Sequence, residues 1–80
     1  MRLDKFLKVS RIIKRRTVAK DFAEHERVMV NGRVAKPSTE VKKGDRITIQ
    51  VGNRTTVYEV LDIKDNVAAS EAKNLYRVVD

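Results

Sequence analysis

The 80-residue sequence predicts a single small α+β domain, with two short N-terminal helices packed on a small, mainly antiparallel sheet and a short helical extension at the C-terminal end. Three observations lead there. Apolar residues recur at helical spacing in the first quarter, as Leu3, Phe6 and Leu7 and then as Val18, Ala19, Phe22 and Ala23. From Val28 onward, short apolar runs are divided by Asn31-Gly32, Lys43-Gly44-Asp45 and Gly52-Asn53, the punctuation of strands and turns. Helical spacing then returns in Ala68, Ala72, Leu75 and Tyr76.

In chain order, the first helix buries Leu3, Phe6 and Leu7 and turns Asp4, Lys5 and Lys8 to the opposite arc. The link from Ser10 to Lys14 carries Ile12 and Ile13 as anchors to the core. The second helix runs its apolar stripe through Val18 to Ala23, with Arg16 and Lys20 along one flank. Val28 to Val30 enters Asn31-Gly32, a pair suited to the positive φ that a type I′ turn requires, and Arg33-Val34 is the return strand. A loop with Pro37 and Ser38 leads to Val41. Residues 46 to 51 alternate, placing Ile47, Ile49 and Val51 on one face, and a further strand is expected over Val57 to Ile63.

Composition removes whole classes of function. There is no cysteine, hence no disulfide, no thiolate metal site and no cysteine nucleophile, a composition that suits a reducing cytoplasm. No apolar run approaches the roughly 20 residues of a membrane span, and the first residues lack the apolar core of a secretion signal, so the mature chain is expected to start where the sequence does. His25 is the single histidine; Glu24 and Glu26 diverge from it on a helix, and Asp21, four residues back, is its one candidate partner. Ser10, Ser38 and Ser70 have no second histidine to act as base, and Gly32, Gly44 and Gly52 are too dispersed for a phosphate loop. No catalysis, metal or cofactor is expected.

Charge points to the partner. Residues 1 to 20 hold eight bases (Arg2, Lys5, Lys8, Arg11, Lys14, Arg15, Arg16, Lys20) and one acid, Asp4, whereas residues 21 to 80 hold ten bases and ten acids. The whole formal charge of +7 is therefore one local field, of the kind that steers a polyanion. Arg15 and Arg16 fall at the start of the second helix, where a cation opposes the helix dipole by about 0.3–1 kcal/mol. An anion held by the first-turn N–H groups and both guanidinium groups reverses that penalty; a tolerated charge at a frayed end is the plainer account. Asp4 admits two readings: an i,i+4 pair with Lys8 worth about 0.2–0.5 kcal/mol, or a carboxylate that orients a guanidinium such as Arg16 or accepts a hydrogen bond from RNA. Phe6 and Phe22 belong to apolar stripes, and Tyr58 and Tyr76 lie outside the basic segment, so provision for stacking splayed bases is small and folded RNA fits better. Lys42, Lys43, Arg46 and Arg54 could extend the footprint, with an ordinary solvated surface residue as the plainer account of each. An anionic membrane would need bulky apolar side chains exposed beside the bases, and those are required by the core.

Four segments in register now carry a resemblance: Arg2-Leu3-Asp4-Lys5-Phe6-Leu7, Arg15-Arg16-Thr17-Val18-Ala19, Val28-Met29-Val30-Asn31-Gly32 and Val41-Lys42-Lys43-Gly44-Asp45. Together they resemble the S4 RNA-binding domain over residues 1 to 51, leaving 52 to 80 as a strand and short-helix extension of the same domain. One departure is Glu26, where many such domains have glycine, so the second helix must end on a residue with a side chain, which bears on stability more than on binding. The chain is similar to the stand-alone, heat-shock-type members of the family that serve ribosome quality control. That resemblance implies a cytoplasmic, monomeric, non-catalytic factor on large ribosomal subunits. It would contact 23S rRNA and peptidyl-tRNA beside a tailing factor and support C-terminal alanine tailing. It also implies that Arg2, Asp4, Lys5, Lys8, Arg11, Arg15, Arg16 and Lys20 form the RNA-binding set. Subunit recycling or heat-shock rescue without tailing is the alternative.

Overall fold

The computed structural model describes residues 1–79. Helix α1 (Leu3–Val9) and helix α2 (Arg16–Glu24) precede strands β1 (Val28–Val30), β2 (Arg33–Val34), β3 (Arg46–Val51) and β4 (Arg54–Val60), then helix α3 (Ala69–Ala72), a 3-10 turn at Lys73–Leu75 and strand β5 (Tyr76–Val79). The five strands form one antiparallel sheet in the order β2-β1-β3-β4-β5.

Every apolar residue that drives α1 is buried: Leu3, Phe6 and Leu7 are fully shielded. Burial of one such side chain contributes about 1.5–3 kcal/mol. They meet Ala19 and Ala23 of α2, whose small side chains let the two helices and the sheet approach, and the Val28, Val30, Ile47, Ile49 and Val60 side of the sheet. Ile12 and Ile13 pack on this core from the link, as their spacing predicts. Ser10 is fully buried there; its hydroxyl donates to the Leu7 carbonyl at 3.3 Å and accepts the Ile12 N–H at 3.4 Å. Val18 departs from the expected stripe and is 39% exposed, because α2 meets the core along its alanine edge.

The start of α1 is fastened from far along the chain. Leu3 N–H donates to the Thr39 carbonyl at 2.8 Å and Asp4 N–H to the Pro37 carbonyl at 3.1 Å, while Val41 N–H returns to the Met1 carbonyl at 2.8 Å. The Met1 ammonium donates to Glu40 Oε2 at 2.9 Å and thereby holds the Glu40 carboxyl below its usual range. Segment 37–41 thus occupies the backbone donors that a helix start otherwise leaves open.

The β1–β2 hairpin turns at Asn31 (φ 52°) and Gly32 (φ 80°), the two positive angles that the Asn-Gly pair predicts. Asn31 also ties this turn to β3, accepting the Arg46 N–H at 3.0 Å on Oδ1 and donating to Asp45 Oδ1 at 3.1 Å. Gly52 (φ 58°) makes the next turn tight enough that Val51 already faces Arg54. The strand expected over Val57 to Ile63 therefore begins at Arg54 and ends at Val60, and Leu61 N–H leaves the ladder for the Leu75 carbonyl at 2.8 Å. Val51 shares the Ile47 and Ile49 face but lies beyond the core's edge, 57% exposed.

The C-terminal extension differs most from expectation. Its helix is one turn long, and Tyr76 opens strand β5 instead of continuing the helix. Tyr76 stands opposite Val60 and meets the Tyr58 ring edge-on at 5.5 Å between centroids, while Leu75 plugs the core. The end of α2 is as the glycine-free sequence requires. Glu26 takes φ 60°, its N–H donates to the Ala23 carbonyl at 3.2 Å, and the Arg27 N–H donates to the Phe22 carbonyl at 3.0 Å. These two bonds are the Schellman closure, built on a side-chain-bearing residue where glycine is the unstrained choice.

Candidate RNA interface

The two helix starts converge on one carboxylate. Asp4, in the first turn of α1, has only 3% of its side chain exposed, whereas Arg2 and Arg16 are 52% and 49% exposed. Arg2 forks onto it, Nε donating to Oδ1 at 3.2 Å and Nη2 to Oδ2 at 3.3 Å. Arg16 donates from Nη2 to the same Oδ1 at 3.4 Å, and Lys5 N–H reaches Oδ1 at 2.8 Å. Asp4 is therefore not on the solvated arc with Lys5 and Lys8, and among its ion pairs the partners are Arg2 and Arg16, not Lys8. Burial pushes its pKa up, but the Arg2 hydrogen bond, the Lys5 N–H and the charges of Arg16 and Arg2 outweigh it, so the carboxyl sits below its usual range.

The arrangement is a clamp. One buried anion holds two guanidinium groups, one from each helix start, and leaves both side chains half-exposed. Side chains fixed before binding lose less conformational freedom when they meet phosphate, and a guanidinium fork matches phosphate oxygens bidentately.

The remaining members of the basic segment stand around this clamp in different states. Arg15 is the extended residue before α2 (φ −116°, ψ 132°), and no side chain caps the helix start there. Lys20 lies one turn further along α2, 3.8 Å from Glu24. Lys5 reaches Asp65 at 3.2 Å, a contact with the C-terminal extension that spacing in the sequence does not announce. Lys8 is exposed in the last turn of α1, and Arg11 is exposed at φ 61° directly after it. Lys42 and Lys43 are exposed in the turn before β3, where Asp45 Oδ2 accepts the Lys42 N–H at 2.9 Å. Lys42 follows directly on the segment laced to residues 1–4. His25 stays exposed at the end of α2, its Nδ1 2.8 Å from the Asp21 carbonyl.

Reading the sequence alone missed Lys36. It lies outside the basic first quarter of the sequence, yet it shares a groove with Arg2 and Lys20. The contact arises because the loop after β2 folds back toward α2, and no local pattern encodes that.

This pairing of a two-helix basic surface with a small antiparallel sheet is the architecture of an RNA-binding module, and the comparison with known families agrees. The S4 domain model matches residues 1–47, and the chain belongs to the S4 domain family. Within it, the chain is 53% identical to the RQC P-site tRNA stabilizing factor of Halalkalibacterium halodurans, over 98% of this chain and 89% of that one. It is 48% identical to the factor of the same name from Bacillus subtilis, over 99% and 92% of the two chains. Among solved structures, the trimeric heat shock protein 15 of Vibrio cholerae superposes with a TM-score of 0.89 at 38% identity, covering 99% of this chain and 81% of that one.

Proposed function

We propose that this protein is a non-catalytic RNA-binding factor of ribosome-associated quality control that steadies P-site tRNA on obstructed large ribosomal subunits. The observation that carries this reading is the end-to-end likeness to two factors named for stabilising P-site tRNA. The Asp4 clamp supports it physically, because a surface of pre-set guanidinium groups suits holding an RNA in place. Arg2, Asp4, Lys5, Lys8, Arg11, Arg15, Arg16 and Lys20 form the interface, with Lys42 and Lys43 at its margin. In this reading residues 1–51 are the RNA-binding core and 52–80 extend the same domain. The protein acts in the cytoplasm as a monomer, contacts 23S rRNA and peptidyl-tRNA, and supports alanine tailing by a second factor on the same particle.

Subunit rescue without tailing is the second reading, favoured by the likeness to heat shock protein 15, but at lower identity. Co-sedimentation tests the first. The protein is expected to pellet with large subunits bearing peptidyl-tRNA in preference to empty ones, and Arg16→Ala is expected to lose that preference. Equal binding to empty subunits, small subunits and whole ribosomes would leave only a general affinity for RNA.

A further inference from the structure

A groove beside the clamp has features that phosphate binding alone does not use. It measures about 480 Å³ and runs between the second half of α2, strand β2 and the loop that follows. Its floor is small and apolar, made of Ala23, Ala35 and Pro37, the two alanines each only 3% exposed. Three cations stand at its rim: Arg2, Lys20 and Lys36. Glu24 and Glu26 line it as well, and Glu24 is engaged by Lys20. Among the described residues the Glu26 carboxylate has no ion pair, and its backbone is held at φ 60°, where a residue with a Cβ is strained. A glycine would close the helix at less expense. Strain retained at an exposed, unpaired carboxylate beside a cavity points to a use for that carboxylate.

We infer that the groove receives one unpaired guanine of the bound RNA, with Glu26 reading its Watson–Crick edge. This rests on the RNA-binding reading above and adds a base-specific contact to it. The groove is continuous with the interface through Arg2 and Lys20, whose charges, with that of Lys36, suit the phosphates flanking the inserted nucleotide. The alanines and Pro37 supply a small apolar floor in place of the aromatic platforms this chain lacks near its basic segment. Guanine is the base whose N1–H and N2 amino donors lie side by side and can meet both oxygens of one carboxylate. Uracil sets a carbonyl on either side of its N3–H and repels a carboxylate; adenine and cytosine each set a ring acceptor beside their amino group.

Four RNA hairpins that share a stem and differ only in one bulged nucleotide (G, A, C or U) test this by fluorescence anisotropy in about 0.15 M salt. The guanine hairpin is expected to bind about five- to tenfold more tightly than the uracil hairpin. Glu26→Gln and Glu26→Gly are both expected to bind all four alike. Glu26→Gly should also melt several degrees above the parent, since its backbone strain is relieved, so a lost preference in that variant is not a lost fold. Equal binding of the four hairpins by the parent, with strong salt dependence, overturns the guanine slot and leaves the RNA reading standing. A preference that survives in both Glu26 variants overturns the role of Glu26. Failure to bind any hairpin while pelleting with large subunits is retained overturns the guanine slot alone, failure of both overturns both readings, and competition at Glu26 by a lysine-rich peptide without base preference would make the groove a protein contact instead.

Discussion

Asp4→Asn is expected to unfold on the order of 5–15 °C below the parent at neutral pH, and to bind arbitrary RNA as well as the parent or better. The first effect follows from removing a buried anion that holds two cations: losing charge-assisted bonds in a shielded site costs about 1–3 kcal/mol, and each kcal/mol moves the midpoint of a domain this size by about 4–8 °C. The second follows from one more net positive charge among the bases of the first twenty residues. Preference for the cognate ribosomal particle should fall, because Arg2 and Arg16 are no longer held in one geometry. Acid titration adds a signed check. The folded-state pKa of Asp4 is lowered, so its contribution is complete above the ordinary value of 3.8 and is lost as pH falls through the lower folded value. The stability gap between parent and variant should close in that window. A variant with unchanged melting and unchanged preference would show that the clamp does neither job.

Arg15→Ala combined with Arg16→Ala is expected to weaken binding to structured RNA tens-fold and to flatten its salt dependence. If about five to seven phosphates are neutralised, log K falls against log salt with a slope of roughly −4 to −6 in the parent, at about 0.7–0.9 per phosphate. Removing two of the contacts should reduce that slope by about two. Circular dichroism must show the helices intact, since Arg16 also contacts Asp4. An unchanged slope in a folded variant would remove the start of α2 from the interface.

Most of the fold is legible because most of it is local. The Asn31-Gly32 turn, the α1 stripe and the anchoring Ile12 and Ile13 need only neighbouring residues to be understood. Elements set by distant partners are not legible in the same way. Asp4 sits on the polar arc of its own helix and is buried by Arg16, twelve residues on, and by the loop at Pro37. Tyr76 continues a helical spacing but is drawn into β5 by its opposition to Val60 and the ring of Tyr58. Val18 and Val51 fit their stripes, yet the small core ends before reaching them. The site followed the same rule. The basic run and, as one of two readings of Asp4, its contact with Arg16 could be read directly, whereas the Arg2 half of the clamp and the position of Lys36 required the chain to be folded.

The unfilled start of α2 bears on which copies of the protein survive warming. In the free molecule the first-turn N–H groups have no capping side chain, and Arg15 and Arg16 oppose the helix dipole. An RNA bound there relieves both and stabilises only the folded chain, by about 2.7 kcal/mol when its free concentration is a hundredfold above Kd. For a domain of this size that is a shift of about 10–20 °C. Unoccupied copies should therefore melt at temperatures that occupied ones withstand. A rise in temperature would thin the idle pool first and leave the molecules already at work on RNA.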